Sequence, residues 1–81
     1  MYYVYVIKSL SKGTFYTGHT DNLERRLDEH NQGISFSTRN KGPWIIVYSE
    51  EFVTRSDAMK REKYLKTGAG RDLIKQNIAK I

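Results

Sequence analysis

Tyr2-Tyr3-Val4-Tyr5-Val6-Ile7, followed after a short turn by Thr14-Phe15-Tyr16-Thr17-Gly18, is the stretch on which the fold turns. The first run is almost continuously apolar, aromatic and β-branched. It predicts a strand buried on both faces and therefore central in its sheet. Ser9-Leu10-Ser11-Lys12-Gly13 carries turn chemistry, so the second run is expected to return as a hairpin partner closed by Gly18.

Working outward, Asp21 three residues before Glu24 reads as a variant capping box, and Leu23 with Leu27 supplies the apolar pair of a helix that Gly33 stops. Residues 34–43 read as a polar loop with two cations, Arg39 and Lys41. Trp44-Ile45-Ile46-Val47-Tyr48 predicts a third strand that frays through Ser49-Glu50-Glu51. Thr54 or Ser56 caps a long helix to about Lys66, Gly68-Ala69-Gly70 breaks it, and residues 71–81 form a last short helix with Leu73, Asn77 and Ile81 on one side. The expected fold is α/β of the α+β type: a small three-stranded antiparallel sheet flanked by helices, in the order β-β-α-β-α-α, as a single domain over residues 1–81.

Composition narrows the function. The 81 residues include no cysteine and two histidines, which excludes a disulfide framework and a thiolate zinc site. No cationic leader with a secretory apolar core and no run near the ~20 apolar residues of a membrane span is present, so a cytoplasmic protein is expected. Fourteen Lys and Arg against nine Asp and Glu give a net charge of +5, a balance that favours polyanions through counterion release.

The informative residues are charged ones on the wrong side of their helices. At about 100° per residue, His30 falls within about 20° of Leu23 and Arg26 within about 60°, so both border the apolar stripe, whereas Arg25, Asp28 and Glu29 face outward. In the later helix Glu62 falls within about 40° of Ala58, inside the apolar stripe that Ala58 and Leu65 define. A carboxylate there must be paired or hold a metal; Arg26 or Lys66 would serve as a plain salt-bridge partner. Lys60, Arg61 and Lys63 lie away from the stripe or flank it. With Tyr3, Tyr5 and Tyr16 on the sheet, these groups are expected to converge on one surface, with the inventory of metal-assisted phosphodiester hydrolysis.

The ordered set resembles the GIY-YIG nuclease domain of phage homing endonucleases and of the excision-repair endonuclease UvrC, and looks closest to its small stand-alone single-domain branch. Tyr3-Val4-Tyr5 matches the Gly-Ile-Tyr triplet and Tyr16-Thr17-Gly18 matches Tyr-Ile-Gly. Arg26 matches the family's catalytic arginine, His30 its frequent histidine one turn on, and Glu62 its metal-binding glutamate. Tyr3 stands where the family carries glycine and Thr17 where it carries isoleucine. Lys66-Thr67-Gly68-Ala69-Gly70 replaces the Asn- and Pro-containing segment of UvrC-type domains.

The resemblance implies a metal-dependent endonuclease acting on DNA, with RNA as the second polyanion and DNA repair or recombination as its setting. Glu62 would hold one Mg²⁺ or Mn²⁺, Arg26 would clamp the scissile phosphate, and Tyr5 or Tyr16, with His30 as proton partner, would activate water. Arg39, Lys41, Lys60, Arg61, Lys63 and Arg71 would contact backbone phosphates. The alternatives are a non-catalytic nucleic-acid-binding module that keeps the fold, and a basic surface that docks an acidic protein. Both long helices are committed to the sheet, and phosphate contacts position without specifying sequence, so any selectivity is expected from nucleic-acid shape, a protein partner or a homodimer. Binding to two unrelated duplexes of equal length should fall steeply with salt and differ little between them. A difference above about 4 kcal/mol, within the range of specific recognition, would show that the domain reads bases.

Overall fold

The computed structural model describes residues 1–78, so the expected placement of Ile81 lies outside the described residues. Strands β1 (Tyr2–Ser9), β2 (Phe15–Thr20) and β3 (Trp44–Phe52) form one antiparallel sheet in the order β2-β1-β3. Helix α1 (Leu23–Asn31) follows β2, a 3₁₀ turn (Phe36–Thr38) interrupts the loop, and α2 (Arg55–Leu65) and α3 (Gly68–Ile78) follow β3. The order is the β-β-α-β-α-α expected from the sequence.

β1 is central and buried on both faces. Its alternating side chains feed two separate cores. Val4 and Val6 pack with Ala58 and Leu65 of α2 and Ile74 of α3. Tyr5 and Ile7 pack with Trp44, and Leu23 and Leu27 of α1 close that side. The helices therefore cover opposite faces, α1 on one and α2 with α3 on the other, where a single converging surface was expected. A bulge in β3, between the pairs Val6–Tyr48 and Ile7–Ile46, inserts Val47. It puts both Val47 and Tyr48 against the α2 core while Ile46 faces α1.

Three local expectations shift. β2 does not end at Gly18 but runs to Thr20, because Tyr3 pairs with Thr20 and Tyr5 with Gly18. The Thr20 hydroxyl accepts from Asn22 N at 3.1 Å, which moves the helix start one residue on. Asn22 rather than Asp21 is then the cap, accepting from Arg25 N at 3.0 Å, and Asp21 pairs with Arg25 instead, at 2.6 Å. The third strand extends through Phe52, its outer half held by β1. α2 is capped by Thr54, which accepts from Asp57 N.

Gly68-Ala69-Gly70 is not a break between helices but the first turn of α3. Its second glycine is a close approach. A Cβ at Gly70 would lie 2.2 Å from Tyr64 O and 2.4 Å from Leu65 Cα, whereas one at Gly68 would meet nothing within 4 Å. Backbone cannot yield as a side-chain tip can, so Gly70→Ala should cost about 1–3 kcal/mol through forced separation of α2 and α3. Gly68→Ala should be neutral or slightly stabilising. Thermal unfolding of the two variants checks this; equal melting temperatures would show that the helices do not meet at Gly70.

Candidate active site

The site assembles around the outer strand, β2, from both faces of the sheet. On the α1 face, register sets Tyr5 opposite Gly18, and the Tyr5 hydroxyl lies only 2.6 Å from where a Gly18 Cβ would be. Glycine is therefore required here for space. The hydroxyl meets His30 Nε2 at 2.8 Å and receives a longer bond from Arg26 Nε at 3.4 Å. His30 Nδ1 meets Thr38 Oγ1 at 2.7 Å. Tyr16 packs edge-on to His30, ring centroids 5.1 Å apart. α1 makes this possible because Arg26 and His30 are one turn apart on the same side.

His30 is only 1% exposed and Tyr5 2%. Burial, reinforced by the Arg26 charge and only partly relieved by Glu29, pushes the His30 pKa down to about 4. A neutral ring has one N–H, so of its two bonds, to Tyr5 and Thr38, it donates one and accepts the other. Burial pushes the Tyr5 pKa up to about 12 against the pull of Arg26, with Tyr16 and Glu62 adding to the rise. Tyr16 is only half-buried. No buried side-chain polar atom among the described residues lacks a partner, and among them no hydrogen bond engages the Tyr16 hydroxyl, so that hydroxyl reaches solvent. Arg26 is held by Glu29 at 2.9 Å.

On the opposite face, Glu62 projects from α2 on the side of Ala58 and Leu65, as its helical angle predicts, and stays half-buried. Its Oε1 accepts from His19 Nδ1 at 2.7 Å and its Oε2 from Lys66 Nζ at 2.8 Å. Burial would raise the carboxyl, but these two donors outweigh it and hold its pKa below the ordinary glutamate value. Lys66 is one of the two partners expected for a plain salt bridge; the other, Arg26, is on the far side. A depression of about 270 Å³ at the end of β2 is lined by Arg25, Arg26 and Glu29 of α1 and by His19, Asp21 and Arg55; Glu62 does not line it and adjoins it through His19.

The structure thus brings Tyr5, Tyr16, Arg26 and His30 together and sets Glu62 across the strand edge. His19 and Thr38 are the residues that sequence reasoning missed. Strand alternation could have found His19, which faces α2 next to Gly18; a threonine within a polar loop carries no such signal. Of the cations expected on phosphate, Lys41, Lys60, Lys63 and Arg71 are exposed. Arg39 donates to Gly33 O at 3.1 Å and lies over Phe36. Arg61 is engaged by Glu50, at 2.8 and 3.1 Å.

A family model of the GIY-YIG catalytic domain matches residues 1–75, and the chain belongs to this family of nuclease domains. It is 43% identical to a UPF0213 protein of Halobacterium salinarum over 82% of this chain and 86% of that one. It is 37% identical to a UPF0213 protein of Staphylococcus haemolyticus over 91% and 90% of the two chains. The solution NMR structure of a UPF0213 protein from Bacillus halodurans matches with a TM-score of 0.54 at 29% identity, covering 91% of this chain and 82% of that one. Membership implies a nucleic-acid substrate and, in general, a divalent metal. Among the described residues no helix is long and apolar enough to cross a membrane.

Sealing His30 has a consequence for pH. The unfolded chain protonates this ring near 6.5 and the folded one only near 4. The stability it contributes is therefore complete above about 6.5 and is lost as the pH falls toward 4. Imidazole NMR should show His30 still neutral at pH 5, with the unfolding free energy already declining between pH 6.5 and 5. A midpoint near 6.5 in the folded protein would mean that the ring is open to solvent.

Proposed function

We propose that this protein is a divalent-metal-dependent endonuclease that hydrolyses DNA phosphodiester bonds, by nicking or in a structure-selective manner. The observation that carries this reading is the depression at the end of β2, lined by Arg26, which donates to a buried tyrosine, and by His19, which is bonded to the Glu62 carboxylate just beyond it. A phosphodiester seated there would meet Arg26 directly and would come to Glu62 past His19.

The donor set fits one Mg²⁺ or Mn²⁺. Among the described residues no three His, Cys, Asp or Glu side chains cluster as a protein-only cage, so Glu62 would be the single protein carboxylate, with water and phosphate oxygens completing the shell. Bound there, the ion would stabilise charge on the leaving oxygen. His19 and Lys66 keep the carboxylate ionised and oriented. Arg26 holds a non-bridging oxygen, and its guanidinium cannot swing freely because Tyr5 and Glu29 both engage it.

Exposure divides the tyrosines. Tyr5, 2% exposed and bonded to His30 and Arg26, is a positioning residue. Tyr16 has the solvent-reaching hydroxyl and would orient the attacking water beside the neutral His30.

Purified protein with Mg²⁺ or Mn²⁺ should nick supercoiled plasmid, and Glu62→Gln should abolish nicking while leaving DNA binding largely intact. Arg26→Ala should lower turnover about 10²–10³-fold, the usual cost of removing one group that stabilises developing charge. Arg25→Ala should change it only a few-fold, since Arg25 borders the same depression but its side chain is exposed and already paired with Asp21. Equal losses from the two arginines would reduce both to attracting charges. Salt-sensitive DNA binding with no nicking under any metal would select the non-catalytic module.

A further inference from the structure

A second concavity, of about 420 Å³, runs along the outer side of β2 between that strand and the α2–α3 pair. Its floor is apolar, with Leu65 and Ile74 nearly fully buried and Phe15 39% exposed. Its rim is cationic: Lys66, Arg71 and Lys75 line it and no carboxylate does among the described residues. Arg71 and Lys75 are four apart on α3 and so share one side of that helix. Among the described residues neither has a salt-bridge partner, and Lys66 is bonded to Glu62 at 2.8 Å. Tyr16 also lines the groove while its ring packs on His30. Through Lys66 the concavity adjoins the Glu62 side of the proposed active site. β2 pairs only with β1, so no further strand of the sheet covers this edge.

We infer that this groove binds one unpaired nucleotide next to the scissile phosphate, which makes the substrate class nucleic acid with a single-stranded segment, such as a flap or a gap. The inference rests on the nuclease reading above. The chemistry is that of a nucleotide: a flat apolar base against Phe15, Leu65 and Ile74, and a phosphate within reach of three cations. Stacking on an aromatic ring is worth about 1–3 kcal/mol per base and tolerates any sequence. A paired base must first leave the helix at a cost of a few kcal/mol, and an already unpaired one does not. The groove therefore selects structure without reading sequence. An acidic peptide adding a strand to β2 is the other macromolecule that a cationic sheet edge admits, and it would have no use for a groove that adjoins the Glu62 side of the proposed site.

The test compares a DNA duplex with the same duplex carrying an unpaired extension, and adds a 5-iodouracil in that extension for photo-crosslinking. Wild-type protein should bind the extended substrate at least tenfold more tightly and crosslink at Phe15. The Arg71→Ala/Lys75→Ala protein should lose most of that ratio, and Phe15→Ala should lose the crosslink. The ratio decides the matter, because a general loss of positive charge lowers both affinities and leaves it unchanged. Equal affinity for the two substrates, an unchanged ratio in the double variant, a crosslink confined to other residues, or displacement of the DNA by a polyglutamate peptide bound more tightly than the extended substrate would each overturn the inference. If the ratio and the crosslink appear but nothing is ever cut, the groove stands and the nuclease reading falls. If cutting occurs with no preference, the reverse holds.

Discussion

A phenol hydroxyl buried in the central strand of a sheet must be given a partner, or the fold loses about 1–3 kcal/mol at that atom. Tyr5 finds one in His30 at 2.8 Å, and much of this small protein is arranged by that bond. His30, sealed as a neutral ring, needs a second partner, and Thr38 supplies it, which ties the 3₁₀ turn of the loop to α1. Trp44 then donates its indole N–H to Thr38 O at 3.2 Å, and Asn31 grips the Trp44 backbone through both N and O. The start of β3, the loop and the end of α1 are thus linked through polar bonds to one tyrosine. Gly18 completes the arrangement, because any side chain there would collide with the hydroxyl.

The second constraint is that the site is split by the sheet. Arg26 belongs to the α1 face and Glu62 to the α2 face, and under the proposed reading they serve one substrate around the end of β2, an edge strand. On that reading a phosphodiester chain would wrap this edge to reach both, whereas one laid on either face would reach one. This arrangement also leaves Glu62 with two local donors, His19 and Lys66, that keep it charged before any substrate arrives. Arg61, by contrast, is tied to Glu50, which also accepts from the Tyr48 hydroxyl, so its charge serves to hold α2 to β3.

The elements of the fold were legible because their signals were strong and local: a continuous apolar run for β1, Leu23 and Leu27 for α1, a cap at Thr54 for α2. Arg26, His30 and Glu62 were legible for a different reason, since helical angle places a charge on the buried side whatever the helix packs against. That same angle does not say which face of the sheet a helix covers, which is why convergence on one surface was expected and encirclement of an edge was found. Gly68-Ala69-Gly70 was misleading because a glycine that breaks a helix and one that lets two helices touch look alike in sequence. Thr38 was invisible, its role created by the fold alone.

The central claim is that Glu62 and the Arg26–Tyr5 pair border a single metal-and-phosphate site despite lying on opposite faces of the sheet. Paramagnetic broadening by Mn²⁺, followed by NMR on the isotope-labelled protein with a short DNA oligonucleotide present to supply phosphate oxygens, tests it most directly. The account predicts broadening centred on His19 and Glu62 that extends across β2 to the Arg26 side chain, all of it lost in Glu62→Gln. Broadening confined to the α2 face, centred on Asp21 and Glu29 instead, or unaffected by that substitution would contradict it.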